Sequence, residues 1–125
     1  MIQKLFIAFL EKENIIPTKL KDNLLSFEYK HMNFLFEYLP EDDTNFFRIM
    51  LPNIDIYANE RNQILNKLNR EFKLGKLIEV RNNIWITAES FVYSTLEIDK
   101  LFSRLINLLM SMIREYRQEI DNERS

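Results

Sequence analysis

The stretch Leu25-Ser26-Phe27-Glu28-Tyr29-Lys30-His31-Met32-Asn33-Phe34-Leu35-Phe36-Glu37-Tyr38 decides the fold class. Leu25, Phe27 and Tyr29 alternate with Ser26, Glu28 and Lys30, and Phe34, Phe36 and Tyr38 alternate with Asn33, Leu35 and Glu37. Successive side chains of extended backbone point to opposite sides, so an aromatic-rich period of two predicts strands that bury one face. The Lys30-His31 region between the runs predicts a turn. A third run, Phe47, Ile49 and Leu51, alternates with Phe46, Arg48 and Met50 and meets Pro52, which is expected to end it. With Pro40-Glu41-Asp42-Asp43 as the second turn, the three strands form an antiparallel meander.

Outward from the meander the spacing changes. Ile2, Leu5, Phe6 and Phe9 recur at helical intervals, so a first helix runs from about Ile2 to Asn14, with Pro17 beyond its end. Lys19 to Asn23 reads as a polar connection. On the other side, Ile64, Leu65, Leu68 and Phe72 mark a second helix from about Asn59. Lys73 and Lys76 flank its C-terminal end, and Gly75 falls where a helix terminus calls for positive φ. A hairpin follows, Leu77 to Arg81 and Ile84 to about Tyr93, turning at Asn82-Asn83, because asparagine tolerates the left-handed conformation. The last helix starts at Ser94 or Thr95, a suitable N-cap ahead of Glu97 and Asp99, and reaches about Asp121. The order is helix, three strands, helix, two strands, helix: an α+β domain over residues 1–125 with five antiparallel strands.

Composition narrows the function. In 125 residues there is no cysteine, one histidine (His31) and one glycine (Gly75), while aromatics reach 13% and hydrophobics 46%. The residue types that supply nucleophiles, proton shuttles, metal ligands and close backbone approach are scarce. The expectation is therefore no enzyme, no metal and no cofactor. His31 reads as an exposed turn residue, Glu41-Asp42-Asp43 as a solvated turn, and Ser90, Ser94 and Ser103 lack a base arrangement. A net charge of −2 argues against a broad basic field. Lys67, Arg70, Lys73, Lys76 and Arg81 spread around helix two without interleaved aromatics, so no nucleic-acid partner is expected. The apolar run Leu5 to Leu10 ends at Glu11, short of the ~7–15 residues of a secretory core and the ~18 of a membrane span. A cytoplasmic protein without a membrane partner is the expectation. Asn66 and Asn69 share one helix face and suit hydrogen bonds to a neighbouring loop's backbone.

Two surfaces carry the positive signal. On the last helix, apolar residues from Leu108 through Ile106 and Met110 spread over roughly 200°, about twice what packing on a sheet requires. The flanks, Leu108 on one side and Ile106 with Met110 on the other, need cover from helix one or from another chain. On the sheet, placing Phe34, Phe36, Phe47, Ile49, Ile84 and Ile86 in the core turns Leu35, Phe46, Met50 and Trp85 the other way. They lie there among Glu37, Arg48, Thr87 and Glu89, and either helix two covers part of that face or a partner does. The expected partner-binding residues are thus Leu35, Phe46, Met50, Trp85, Ile106, Leu108 and Met110.

The element order resembles the bacterial YbjN-like, sensory-transduction-regulator domains, which share a fold with class I type III secretion chaperones. So do the acidic turn Glu41-Asp42-Asp43 before a strand meeting Pro52, and the segment Asn66-Lys67-Leu68-Asn69-Arg70-Glu71-Phe72-Lys73-Leu74-Gly75-Lys76. Ile84-Trp85-Ile86 leading to Glu89-Ser90-Phe91 completes the likeness, which spans about Ile15 to Tyr116. The resemblance implies a twisted antiparallel sheet with helices packed against it, a homodimer, and a non-enzymatic role in binding polypeptide. The secretion chaperones tend to dimerise through their second helix, whose outer surface here is polar (Asn62, Gln63, Asn66, Lys67, Arg70). Two functions are therefore expected to compete. One is a chaperone- or adaptor-like module holding a segment of another protein. The other is a regulatory domain that senses a small molecule in a closed cavity lined by Phe34, Phe36 and Phe47.

Overall fold

A computed structural model describes residues 2–39, 46–92 and 94–124, without the Arg124 side chain. The turn expected over Pro40 to Asp43 and the strand end at Tyr93 lie outside the described residues. Helix α1 (Ile2–Lys12) leads into six strands and two further helices. These are β1 (Thr18–Lys21), β2 (Leu24–Tyr29), β3 (Met32–Tyr38), β4 (Phe46–Asp55), α2 (Asn62–Glu71), β5 (Gly75–Val80), β6 (Asn83–Phe91) and α3 (Ile98–Arg124), with a single 3₁₀ turn at Ala58–Glu60. The strands form one antiparallel sheet in the order β1-β2-β3-β4-β6-β5. The α+β class stands, and the sheet has six strands rather than five.

The additional strand is β1, which the sequence presents as a polar connection. All four of its residues are exposed, so the pairing with β2 is set by backbone hydrogen bonds and leaves no hydrophobic alternation to read. Pro52 also fails to end β4. The strand continues to Asp55 through a register slip between Leu51 and Asp55, where Asn53 takes φ 55°. A proline has no N–H to give a ladder and is accommodated where the ladder is already broken.

The two short hairpins behave as their turn residues require. Lys30 and His31 both take positive φ, 50° and 66°, the geometry that matches the twist of adjoining strands. The second turn sits one residue earlier than expected, on Arg81 (51°) and Asn82 (62°), leaving Asn83 paired with Val80. Gly75 is needed for a different reason from the one expected. It lies in β5 without positive φ. A Cβ there would drive into the Met112 sulfur and come within 3.3 Å of the Thr87 carbonyl oxygen. The glycine is what lets α3 approach the sheet closely. Helix α3 itself begins at Ile98, later than Ser94 or Thr95: the Ser94 hydroxyl accepts from the Leu96 N–H (3.1 Å), and Glu97 takes φ 60° before the helix starts.

Everything large and apolar on one face of the sheet is buried under helices. Phe6 of α1 stacks on Phe36 with ring centroids 4.0 Å apart and meets Phe102 of α3 edge-on at 4.9 Å. Phe102 also packs edge-on against Phe47 at 5.3 Å. Helix α1 lies beside α3, and α2 packs against both α3 and β5, so the three helices share this face. That arrangement corrects two expectations. Helix α2 does not cover the reverse of the sheet. And Ile106, expected to need cover from helix one or from another chain and counted among the partner-binding residues, is 3% exposed, enclosed near Phe9 of α1 and Ile15. Leu108 and Met110 are half-buried against the core, because two helices rather than one line the sides of α3.

Candidate functional site: the open face of the sheet

The reverse face carries the side chains that strand parity predicts. Leu35 pairs with Met50, Met50 with Thr87, and Thr87 with Lys76, giving one row across four strands. The next row is Leu24, Glu37, Arg48 and Glu89; beyond it Phe46 pairs with Phe91, their rings 5.2 Å apart. On the other side of the first row, Trp85 pairs with Ile78. No described helix or strand lies over these residues. On this face lies a concave groove of about 460 Å³ whose apolar lining is Leu24, Leu35, Met50, Ile78, Val80 and Trp85, with the Phe46–Phe91 pair outside it. Met50 and Thr87 form its floor, 6% and 7% exposed although nothing covers them but their own neighbours. Ile78 stands 40% exposed at the rim.

Two polar arrangements fix this surface. Arg48 lies between Glu37 (3.3 Å) and Glu89 (3.2 Å), and its guanidinium sits 5.8 Å from the Phe46 ring centroid. Arg48 Nε is buried and has no hydrogen-bond partner among the described residues. The pairs are partly exposed, so they orient the arginine more than they stabilise the fold. Trp85 is held from the opposite end of the groove, donating its indole N–H to the Asn53 side-chain oxygen at 3.1 Å. Asn53 can reach it because the β4 bulge puts that residue in the left-handed region.

The sheet edges differ in access. On β5, the Leu77 N–H donates to the Asn69 side-chain oxygen (2.7 Å) and the Leu77 carbonyl accepts from its amide nitrogen (2.9 Å). Asn69 of α2 thus occupies the place of a neighbouring strand: it bonds backbone as expected, but that of a strand edge and not of a loop. Edge pairing with a partner is therefore obstructed at the middle of β5. The other edge, β1, offers four residues with a bulge and two lysines, Lys19 and Lys21.

A second polar cluster lies under the helices. Asp55, just past the bulge, accepts a hydrogen bond from the Tyr116 hydroxyl, from the Tyr57 N–H (2.9 Å) and from Arg61 Nε (3.3 Å). Arg61 also reaches Glu123 at 3.4 Å. Burial pushes the Asp55 carboxyl up, but the three donors and the guanidinium charge together hold it below the ordinary aspartate value. Burial and the adjoining carboxylate push the Tyr116 hydroxyl far up, so it stays protonated as a donor. The cluster ties the end of β4 to α3 and engages its own members.

Of the seven residues expected to meet a partner, Leu35, Phe46, Met50 and Trp85 are brought onto one surface. Leu108 and Met110 sit on the helical side, and Ile106 is in the core. The sequence reading missed Leu24, Ile78 and Val80, although the pairing of β5 with β6 puts Ile78 opposite Trp85; counting parity outward from Trp85 would have found it. The cavity expected between Phe34, Phe36 and Phe47 is filled: all three are fully buried, and Phe34 stacks on Phe27 at 5.3 Å and Phe36 on Phe47 at 5.7 Å. Among the described residues no helix is long and apolar enough to cross a membrane.

No protein-family model matches this sequence, and no curated protein does. A solved structure does match: the crystal structure of an uncharacterized protein from Methanothermobacter thermautotrophicus, with a TM-score of 0.58 and 12% identity. The likeness covers 95% of this chain and 99% of that one, and it is a likeness of fold.

Proposed function

We propose that this chain is a non-enzymatic protein-binding module, chaperone- or adaptor-like, whose open sheet face takes up a segment of a partner protein. The observation that carries the reading is the groove of about 460 Å³, apolar at its base, on the one sheet face that no described element covers. Monomeric domains rarely leave a contiguous apolar surface without a use for it. Trp85 in the groove and Phe46 on the same face outside it are the anchors, since partly buried aromatic residues carry much of the energy of an interface. Leu35 and Met50 supply the apolar base, and methionine adapts to differently shaped partners. The YbjN-like and secretion-chaperone resemblance, a cytoplasmic setting and a homodimer belong to the same reading. The concavity argues that two copies do not meet through this face, because two hollows facing one another enclose space instead of packing.

Trp85 is the chain's one tryptophan, so its fluorescence reports occupancy of the groove directly. Affinity capture from the native host, run in parallel with wild type, Trp85→Glu and Leu35→Glu, tests the reading. The expected result is a dominant protein lost from both variants while their circular dichroism is unchanged. A captured set indifferent to both substitutions would overturn it. Light scattering of the same samples measures the oligomeric state. A metabolite that shifts Trp85 fluorescence in the absence of any captured protein would favour the small-molecule sensor instead.

A further inference from the structure

The helical side of the molecule carries a second concavity, independent of the sheet face. Between the β2–β3 hairpin and the last four turns of α3 lies a notch of about 360 Å³. Met32, Met110 and Ile113 make its floor, and Arg114, Arg117 and Asp121 its charged wall. The charges of α3 are sorted by side. Its carboxylates Glu119 and Glu123 face α2, paired with Lys67 (2.6 Å) and Arg61 (3.4 Å). Arg114 and Arg117 point the other way, toward the notch, and neither has a carboxylate within ion-pair distance among the described residues. Asp121 is the one acid of the wall and is paired with neither.

We infer that this notch is a docking site for an acidic, apolar segment of another protein, with carboxylates on Arg114 and Arg117 and an apolar side chain on the Met32 and Met110 floor. Charge complementarity is the ground for the choice. In a chain of net charge −2, two neighbouring guanidiniums without a carboxylate partner among the described residues outweigh the single acid Asp121 and make a local positive site. Guanidinium forks recognise carboxylates with directional, charge-assisted bonds. The floor is thioether and aliphatic, with no aromatic ring on which a nucleic-acid base would stack. Two methionines make that floor adjustable to an apolar side chain of no fixed shape.

The test is selection of a displayed random 12-residue peptide library on the full chain, with enriched clones re-screened on R114Q/R117Q and on Trp85→Ala. Both arginines are exposed, so the double variant is expected to melt with the wild type. The expected result is a class of clones with at least two Asp or Glu beside Leu, Met or Phe, weakened about tenfold or more by R114Q/R117Q and insensitive to Trp85→Ala. Synthetic versions of these peptides should lose affinity as salt rises. If every enriched clone depends on Trp85 and none on the arginines, the notch is not a docking site, whereas the sheet-face reading survives. A single-stranded oligonucleotide bound in an Arg114- and Arg117-dependent way would overturn the assignment to a protein segment. So would self-association abolished by R114Q/R117Q, which would give the notch to a second copy.

Discussion

The two faces of the sheet use the same strands and differ in what lies over them. On the helical face, Phe36 and Phe47 are fully enclosed under rings from α1 and α3, and Phe34 is enclosed with its ring stacked on Phe27 of β2. On the open face, Leu35, Phe46 and Trp85 are half-buried by their own neighbours alone. The strands satisfy both environments because alternate residues never share a face, so one sequence can encode a core and a contact surface at once. Of the sheet's two faces, the helical one should therefore carry the stability and the open one the sheet's own contact surface.

That division is open to direct attack. The largest expected effect is Phe36→Ala, which removes the ring between Phe6 and Phe47 and should cost about 3–5 kcal/mol in denaturant unfolding. Met50→Ala, on the open face of the neighbouring strand, should cost well under half as much, since no second layer packs on it. Equal costs would mean that the open face is as tightly covered as the core.

Next comes the Asp55 cluster, the polar anchor of the helical face. Asp55→Asn keeps the shape but weakens three hydrogen bonds to a carboxylate, an expected loss of about 2–3 kcal/mol at pH 7. Its pH dependence identifies the cause. The Asp55 carboxyl is lower in the folded chain than in the unfolded one, so its contribution is complete above the ordinary range, about pH 4–5, and is lost as pH falls through the folded value. In wild type, unfolding free energy should fall over that acid range more steeply than in Asp55→Asn. Parallel acid limbs would remove Asp55 as the source.

Gly75→Ala probes how closely α3 sits on the sheet. The new methyl meets the buried end of Met112, so a loss of roughly 1–3 kcal/mol is expected, as for other overpacked cores. Combined with Met112→Ala, the two costs should add to less than their sum, because the second change makes room for the first. Strict additivity would mean that the glycine is not there for the contact.

Much of this was legible in the chain, and the failures have physical causes. The meander and both hairpins follow from alternation and from residues that accept positive φ, and the four open-face residues follow from parity once the core side is chosen. Strand β1 was not legible, because an exposed edge strand has no buried side to impose a pattern. A glycine at a helix end is expected to take positive φ, whereas the demand on Gly75 comes from Met112, 37 positions further along the chain. Helix α2 was free to lie on either face as far as periodicity goes. What holds it in place is the burial of Ile64, Leu65 and Leu68 and the fit of the Asn69 amide to the Leu77 edge of β5, both of them long-range matches.

The smallest expected effect tests the comparison most finely. Glu89→Gln removes one of the two carboxylates that hold Arg48 on the open face, at 3.2 Å and partly exposed, and should cost only about 0.3–0.5 kcal/mol. Arg48 keeps Glu37, so the second step, adding Glu37→Gln, should cost more than the first: it leaves a guanidinium with no carboxylate over the groove. Measured in low and high salt, the first loss should shrink as ionic strength rises, since water reaches the pair, whereas the Asp55→Asn loss should hardly change. Equal salt sensitivity at Glu89 and Asp55 would mean that the two faces of the sheet do not differ in solvent access, and the assignment of the sheet's contact surface to one and of its stability to the other would fail with it.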